Sequence, residues 1–178
     1  MIDVGDFFLV EPSEIYAEQI REYRQDFLDT NCSMDGCGPL RKCEDPFTYI
    51  SECEKCTAQD TLPEGLVIAT QFFYVRKADN RLVGMIQVRH YFNDYLSKFG
   101  GHIGYSIRPS ERRKGYATSM LNAILPYCRE IGLDKLLITC IDGNIGSEKT
   151  IRNNGGVYES TVYESGKNCS LKRFWITL

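Results

Sequence analysis

A chain of 178 residues, 43% hydrophobic and 25% charged, has the composition of an ordinary globular protein with a sizeable core. Its formal charge of −3 at pH 7 excludes a general nucleic-acid binder, which needs a basic surface, although a local cationic cluster still suits a small polyanion. No apolar run approaches the roughly 18 residues that span a membrane, and the start MIDVGDFFLVEPSE lacks the basic and apolar stretches of a secretory signal, so a cytoplasmic location is expected.

In chain order, Asp6–Val10 (DFFLV) reads as a short apolar strand that stops at Glu11-Pro12. From Ser13, which can cap a helix, Ile15, Ile20, Tyr23, Phe27 and Leu28 recur at roughly helical spacing. SMDGCGPL is a turn-rich connection with two glycines and a proline. DPFTYISECEKC predicts a second helix with Pro46 in its first turn, and TLPEG breaks the chain again. Gln71–Lys77 and Arg81–His90 are rich in aromatic and branched residues and predict a strand pair joined at Ala78–Asn80. YFNDYLSKFGG is a linker with one helical turn, and HIGYSIRP predicts a third central strand ended by Pro109. A helix follows to about Ile131, closed by Gly132. Pro126 lies inside it and predicts a kink or break between Asn122 and Pro126, since proline donates no N–H and crowds the preceding turn. KLLITC is a nearly all-apolar strand, as expected where both sheet faces are covered. GSEKTIRNN predicts a short helix stopped by Gly155-Gly156, and KRFWITL a last strand. These elements predict one mixed α/β domain over residues 1–178.

Five of the eight cysteines fall early, at Cys32, Cys37, Cys43, Cys53 and Cys56. Cys53 and Cys56 form a CxxC, and Cys32 and Cys37 could supply two further zinc ligands. The spacing is irregular and the CxxC falls in a predicted helix, so reduced thiols are expected and no metal site is assigned. Cys128 and Cys140 sit among apolar residues and read as small core side chains.

The stretch RPSERRKGYATSML, residues 108–121, carries the chemistry. A strand that ends abruptly and feeds a helix leaves backbone N–H groups without partners, at the positive end of the helix dipole. That is an anion site. Gly115 allows close backbone approach, small Ala117 keeps the next turn clear, and Arg112, Arg113 and Lys114 add charge. Such a loop suits a diphosphate, yet it is neither the GxxxxGK[ST] of a P-loop nor the GxGxxG of a dinucleotide site. A solvated basic turn capping a helix is the plain alternative.

Arg112-x-x-Gly115-x-Ala117 resembles the [RQ]-x-x-G-x-[GA] signature of the GNAT superfamily of acyl-CoA N-acyltransferases. IGYSIRPSERRKGYATSML is similar to that superfamily's strand, pyrophosphate loop and helix, and LLITCIDGNIGSEKTIRNNGG to its next strand and Asn-x-x-Ser/Ala helix, an ordered pair within residues 103–156. The resemblance implies a mostly antiparallel, twisted central sheet flanked by helices, with acetyl-CoA as the acyl donor. It further implies that backbone groups of Tyr105, Ser106 and Ile107 bind pantetheine. Backbone amides of Arg112, Arg113, Lys114, Gly115, Tyr116, Ala117 and Thr118 would then hold the diphosphate. Asn144 and Ser147 match positions whose side chains approach the pantetheine arm; a turn residue and a helix-terminal hydroxyl are their plain alternatives.

Direct acyl transfer needs a free amine lone pair, a route for its proton and donors for the thioester oxyanion. The tyrosine that many members carry seven residues after the asparagine is Ile151 here, and the carboxylate some carry five residues before it is Thr139. His102 remains as the candidate general base, which predicts a rate rising through an apparent pKa between roughly 6 and 8. Its alternative is a strand-edge histidine bonded to a neighbour. His90 is a candidate for lining the acceptor pocket, and Tyr105 is a second candidate acid, which alternation puts on the other face from His102. The resemblance thus implies an N-acetyltransferase acting directly on a primary amine of a small molecule or peptide, without nucleic-acid or membrane partners. Its oligomeric state is left open, a homodimer included. A non-catalytic acyl-CoA-binding sensor and a zinc-linked interaction module are the other readings.

Overall fold

A computed structural model describes all 178 residues. β1 (Ile2–Val4) and β2 (Phe7–Val10) form a hairpin turned at Gly5, which takes a positive φ of 58°. The sequence pattern showed only the second arm, because a three-residue strand carries no measurable alternation. Two helices follow, α1 (Ala17–Asp29) and α2 (Pro46–Lys55), the latter capped by the Asp45 carboxylate, which accepts from Thr48 N–H. β3 (Ala69–Arg76), β4 (Arg81–Arg89) and β5 (Ile103–Ile107) are the central strands, with a π-helical turn at Leu96–Gly100 before β5. Then come α3 (Tyr116–Glu130), β6 (Lys135–Ile141), α4 (Ile145–Asn153), β7 (Val157–Glu164) and β8 (Cys169–Thr177).

All eight strands share one sheet in the order β1-β2-β3-β4-β5-β6-β8-β7. Every neighbouring pair is antiparallel except β5 and β6, which run parallel. Alternating side chains divide the core between the faces. Phe72 and Tyr74 of β3, with Val83, Ile86 and Val88 of β4, pack with Met120, Leu121, Ile124 and Cys128 of α3 and Ile151 of α4. Phe73 and Val75, with Leu82 and Met85, pack with Ile20, Tyr23 and Phe27 of α1 and Tyr49 of α2. Burial on both faces explains why the central strands read as unbroken apolar runs.

β7 is the strand missed in the sequence. It is a sheet edge, and Val157, Tyr158 and Tyr163 on it are exposed, so burial imposes no apolar pattern. α3 is one continuous helix through Pro126, so of the kink or break expected there the break does not occur. Asn122 and Pro126 both face solvent, where water can take the carbonyl that the missing N–H leaves free, while Leu121, Ile124, Leu125 and Cys128 hold the opposite side against the sheet. The early cysteines do not converge into any group of three metal-ligating side chains; Cys37 and Cys53 are core residues, and all eight thiols are free. That geometry does not support a zinc-linked module.

Candidate active site

β5 and β6 meet at a single residue pair, Ile103 with Ile138. Beyond it β5 stays with β4 as far as Ile107, and β6 stays with β8 as far as Ile141, so the sheet opens between them. Both strands run parallel toward the opening, and each is followed by a helix whose N-terminus lies there, α3 after β5 and α4 after β6. A gap at parallel strand ends, flanked by two positive helix termini, is a setting for an extended anionic ligand.

Pairing with β4 decides which β5 groups face the gap. Arg89 N–H bonds to His102 C=O and Arg108 N–H to Val83 C=O, so alternation turns the backbone of Gly104 and Ser106 toward β4. The backbone groups of Tyr105 and Ile107 face the gap instead. Ser106 therefore departs from expectation. Its side chain is also committed, with Oγ 3.1 Å from Tyr23 Oη and 3.1 Å from Cys37 Sγ on the α1 face.

After β5 the chain makes a short 3₁₀ turn, Pro109–Glu111, and then the loop into α3. Arg113 and Gly115 take positive φ, 67° and 80°, which aims successive amides outward. Amides 113 to 117 find no partner in the chain, whereas Arg112 N–H bonds to Pro109 C=O and Thr118 N–H to Gly115 C=O. Five amides are thus free to meet an anion, while the two end members of the stretch the signature implied are already bonded within the chain. A Cβ on Gly115 would meet nothing within 4 Å, so it is the left-handed φ of 80°, not crowding, that favours glycine there.

Two of the three loop cations serve the protein rather than a ligand. Arg112 Nε donates to Ile107 C=O at 3.1 Å, and Lys114 Nζ lies 2.8 Å from the Glu111 carboxylate. Glu111, only 5% exposed, also pairs with Arg76 at 3.0 Å and Arg81 at 3.6 Å, which ties the loop to β3 and β4. Tyr116 turns its ring onto Phe7, away from the gap. Arg113 alone keeps a side chain without a partner.

On the other wall, Asn144 caps α4, its Oδ1 accepting from Ser147 N–H at 3.1 Å. Ser147 Oγ lies 2.8 Å from Tyr105 Oη, so the structure brings β5 and the start of α4 together. Burial pushes the Tyr105 hydroxyl up to about 12, which keeps it a donor at neutral pH. Tyr105 packs on the α3 face of the sheet, opposite His102.

His102 is not a free base. It is 5% exposed, and its Nδ1 accepts from Leu137 N–H at 3.0 Å. Burial, and then the Arg89 charge, push it down to about 4. His90 is equally committed. Its Nε2 is 2.9 Å from Thr70 Oγ1 and its ring faces Tyr127 of α3.

A family model described as Acetyltransferase (GNAT) domain matches residues 39–157. YnaD, an uncharacterized N-acetyltransferase of Bacillus subtilis (strain 168), is 30% identical over 88 residues, so the match spans about half of each protein, 49% of this chain and 49% of that relative. The ribosomal-protein-S5-alanine acetyltransferase of Vibrio fischeri superposes with a TM-score of 0.73 at 15% identity, over 98% of this chain and 94% of that one. The microcin C7 self-immunity acetyltransferase MccE, solved in complex with acetyl-CoA and AMP, gives a TM-score of 0.70 at 19% identity, over 98% and 93%. The last two likenesses establish the fold.

Proposed function

Because the chain belongs to the GNAT acetyltransferase domain family, we propose that it is an N-acetyltransferase passing an acetyl group from acetyl-CoA directly to a primary amine. The observation that carries this is the β5–β6 gap with its five unpartnered amides at the start of α3. Those amides suit the diphosphate, and the gap-facing backbone of Tyr105 with the Ile107 N–H, whose carbonyl Arg112 already holds, suits the amide-bearing pantetheine arm, with the thioester deeper in the gap. The amine nitrogen attacks the thioester carbonyl carbon; a C–N bond forms, the C–S bond breaks and CoA leaves as the thiolate. The nitrogen's proton passes to water, since His102 is both bonded and weakly basic. A thiol of pKa about 8.5 is acidic enough that its thiolate can leave unprotonated or take a proton from water. The solved relatives bearing protein-acetyltransferase names favour a peptide amine over a small-molecule one. No helix is long and apolar enough to cross a membrane.

The test is an acceptor panel with acetyl-CoA, reading release of the CoA thiol. Alongside it, Gly115→Glu places a carboxylate in the cradle at a left-handed φ, and acetyl-CoA affinity is expected to fall at least tenfold, about 1.4 kcal/mol. Unchanged affinity by calorimetry in a folded variant would remove the loop from the donor site. The buried His102 keeps a second reading, a non-catalytic acyl-CoA sensor, which binding without turnover would select.

A further inference from the structure

The turn between α1 and α2 sits directly on β5. A Cβ on Gly36 would stand 2.1 Å from Gly104 O and 2.3 Å from Tyr105 N, so backbone rests on backbone at the very peptide whose N–H lines the gap. Gly36 takes a φ of 71°, and its C=O accepts from the buried Gln71 Nε2 at 2.9 Å. Next to it Cys37 is fully buried, its Sγ 3.1 Å from Ser106 Oγ. Three contacts therefore fix the turn at Gly36 and Cys37 against β5 on the α1 side, with Asp35 the residue before it. The Asp35 side chain remains exposed, and its carboxylate has one hydrogen-bond partner, Ser33 Oγ at 2.6 Å.

Two cations near this turn already have hydrogen-bond partners. Arg89 donates to the carbonyls of Gly100 and Gly101 at 3.1 and 3.2 Å. Lys167, on the β7–β8 hairpin, donates to Tyr95 Oη at 2.7 Å and lies 3.6 Å from Glu164 Oε1. Asp35 immediately precedes Gly36, whose backbone rests on the Gly104–Tyr105 peptide of β5. Glu164 has its ammonium already. Asp35 has none.

We propose that Asp35 is the carboxylate that receives the acceptor's ammonium group and orients its nitrogen toward the β5–β6 gap. The inference rests on the acetyltransferase reading and names the residue that would hold the acceptor amine in its ammonium form. Gly36 and Gln71 are positioning residues, since they hold the turn without touching the acceptor. Once bound, the ammonium loses its proton to water and the freed lone pair faces the thioester.

Acceptor kinetics test this with three probes, an alanine-starting peptide, an N-blocked peptide with one lysine, and spermidine. For any probe acetylated by the wild type, Asp35→Asn should raise the acceptor KM at least tenfold, about 1.4 kcal/mol. Acetyl-CoA affinity by calorimetry should stay within about twofold, because the donor-binding amides are untouched. Asp35→Glu should recover part of the loss, as a carboxylate one methylene longer still pairs with an ammonium. Gly36→Ala should raise the acceptor KM with Asp35 intact, because its Cβ would lift the turn off Gly104. An Asp35→Asn enzyme with unchanged acceptor KM, or one that loses acetyl-CoA affinity in step, would overturn the proposal while leaving the acetyltransferase reading standing. A wild type that binds acetyl-CoA yet acetylates none of the probes would overturn both.

Discussion

On the α1 side of β5, the imidazole of His102 lies against Phe92, with centroids 4.0 Å apart, and 6.5 Å from the Trp175 ring. As a residue type at the start of the donor strand it reads as a base. As a buried side chain accepting a backbone N–H it is a structural acceptor, and no residue pattern distinguishes the two. The consequence is a pH effect on stability rather than on rate. His102 titrates near 4 in the folded chain, against 6.5 ordinarily, so between those values the unfolded chain binds the extra proton. Stability is full above the unfolded value and falls as pH drops toward 4. From pH 7 to pH 5 this one group should cost about 2 kcal/mol. His102→Asn, which keeps an acceptor for Leu137 N–H, should lose about that much less over the same range, measured by urea unfolding. Equal pH slopes in the two proteins would show that His102 is not held neutral. Gly115 was legible at this scale, because a glycine before a helix and among cations has few reasons to be there. Asp35 was not, since an aspartate in a turn-rich segment is ordinary and its value depends on Gly104, far along the chain.

α3 is the element whose sequence spoke most clearly and misled in one detail. Its start, its apolar face and its end at Gly132 all follow from local chemistry, because caps and periodicity act over a few residues. Whether a proline breaks it depends instead on where the freed carbonyl points, and here it points to water. The helix survives, but the missing bond and the crowded turn remain. Pro126→Ala should therefore stabilise the protein by about 1–3 kcal/mol, seen as a raised midpoint in thermal unfolding, with the donor loop's affinity unchanged. A lower midpoint would mean that Pro126 contributes packing its exposure does not suggest. β7 shows the reverse case. Its residues pair correctly with β8 through seven positions, yet an exposed edge needs no apolar alternation and so leaves little trace in the chain.

Across the whole molecule, the sheet separates two cores that hardly share side chains. Phe73 and Ile86 lie on neighbouring strands yet face opposite sides. Ile86→Val should cost about 0.5–1.5 kcal/mol and Phe73→Leu about 1 kcal/mol. Combined, they should add to within about 0.5 kcal/mol, because neither vacated space touches the other. Coupling above that by denaturant unfolding would show that the sheet transmits strain between its faces. The same architecture separates what could be read in the chain from what could not. By itself the sequence determined the mixed α/β class, the central strands, the helix starts and the loop suited to a diphosphate. All of these follow from propensity, alternation and glycine placement within a few neighbouring residues. Only the tertiary structure decided that β5 and β6 part after one residue pair, that Tyr105 and Ile107 face the gap while Ser106 does not, that His102 is buried, and that the Gly36 turn rests on β5. Each of these depends on strand register and on contacts between residues tens of positions apart, which no local pattern records.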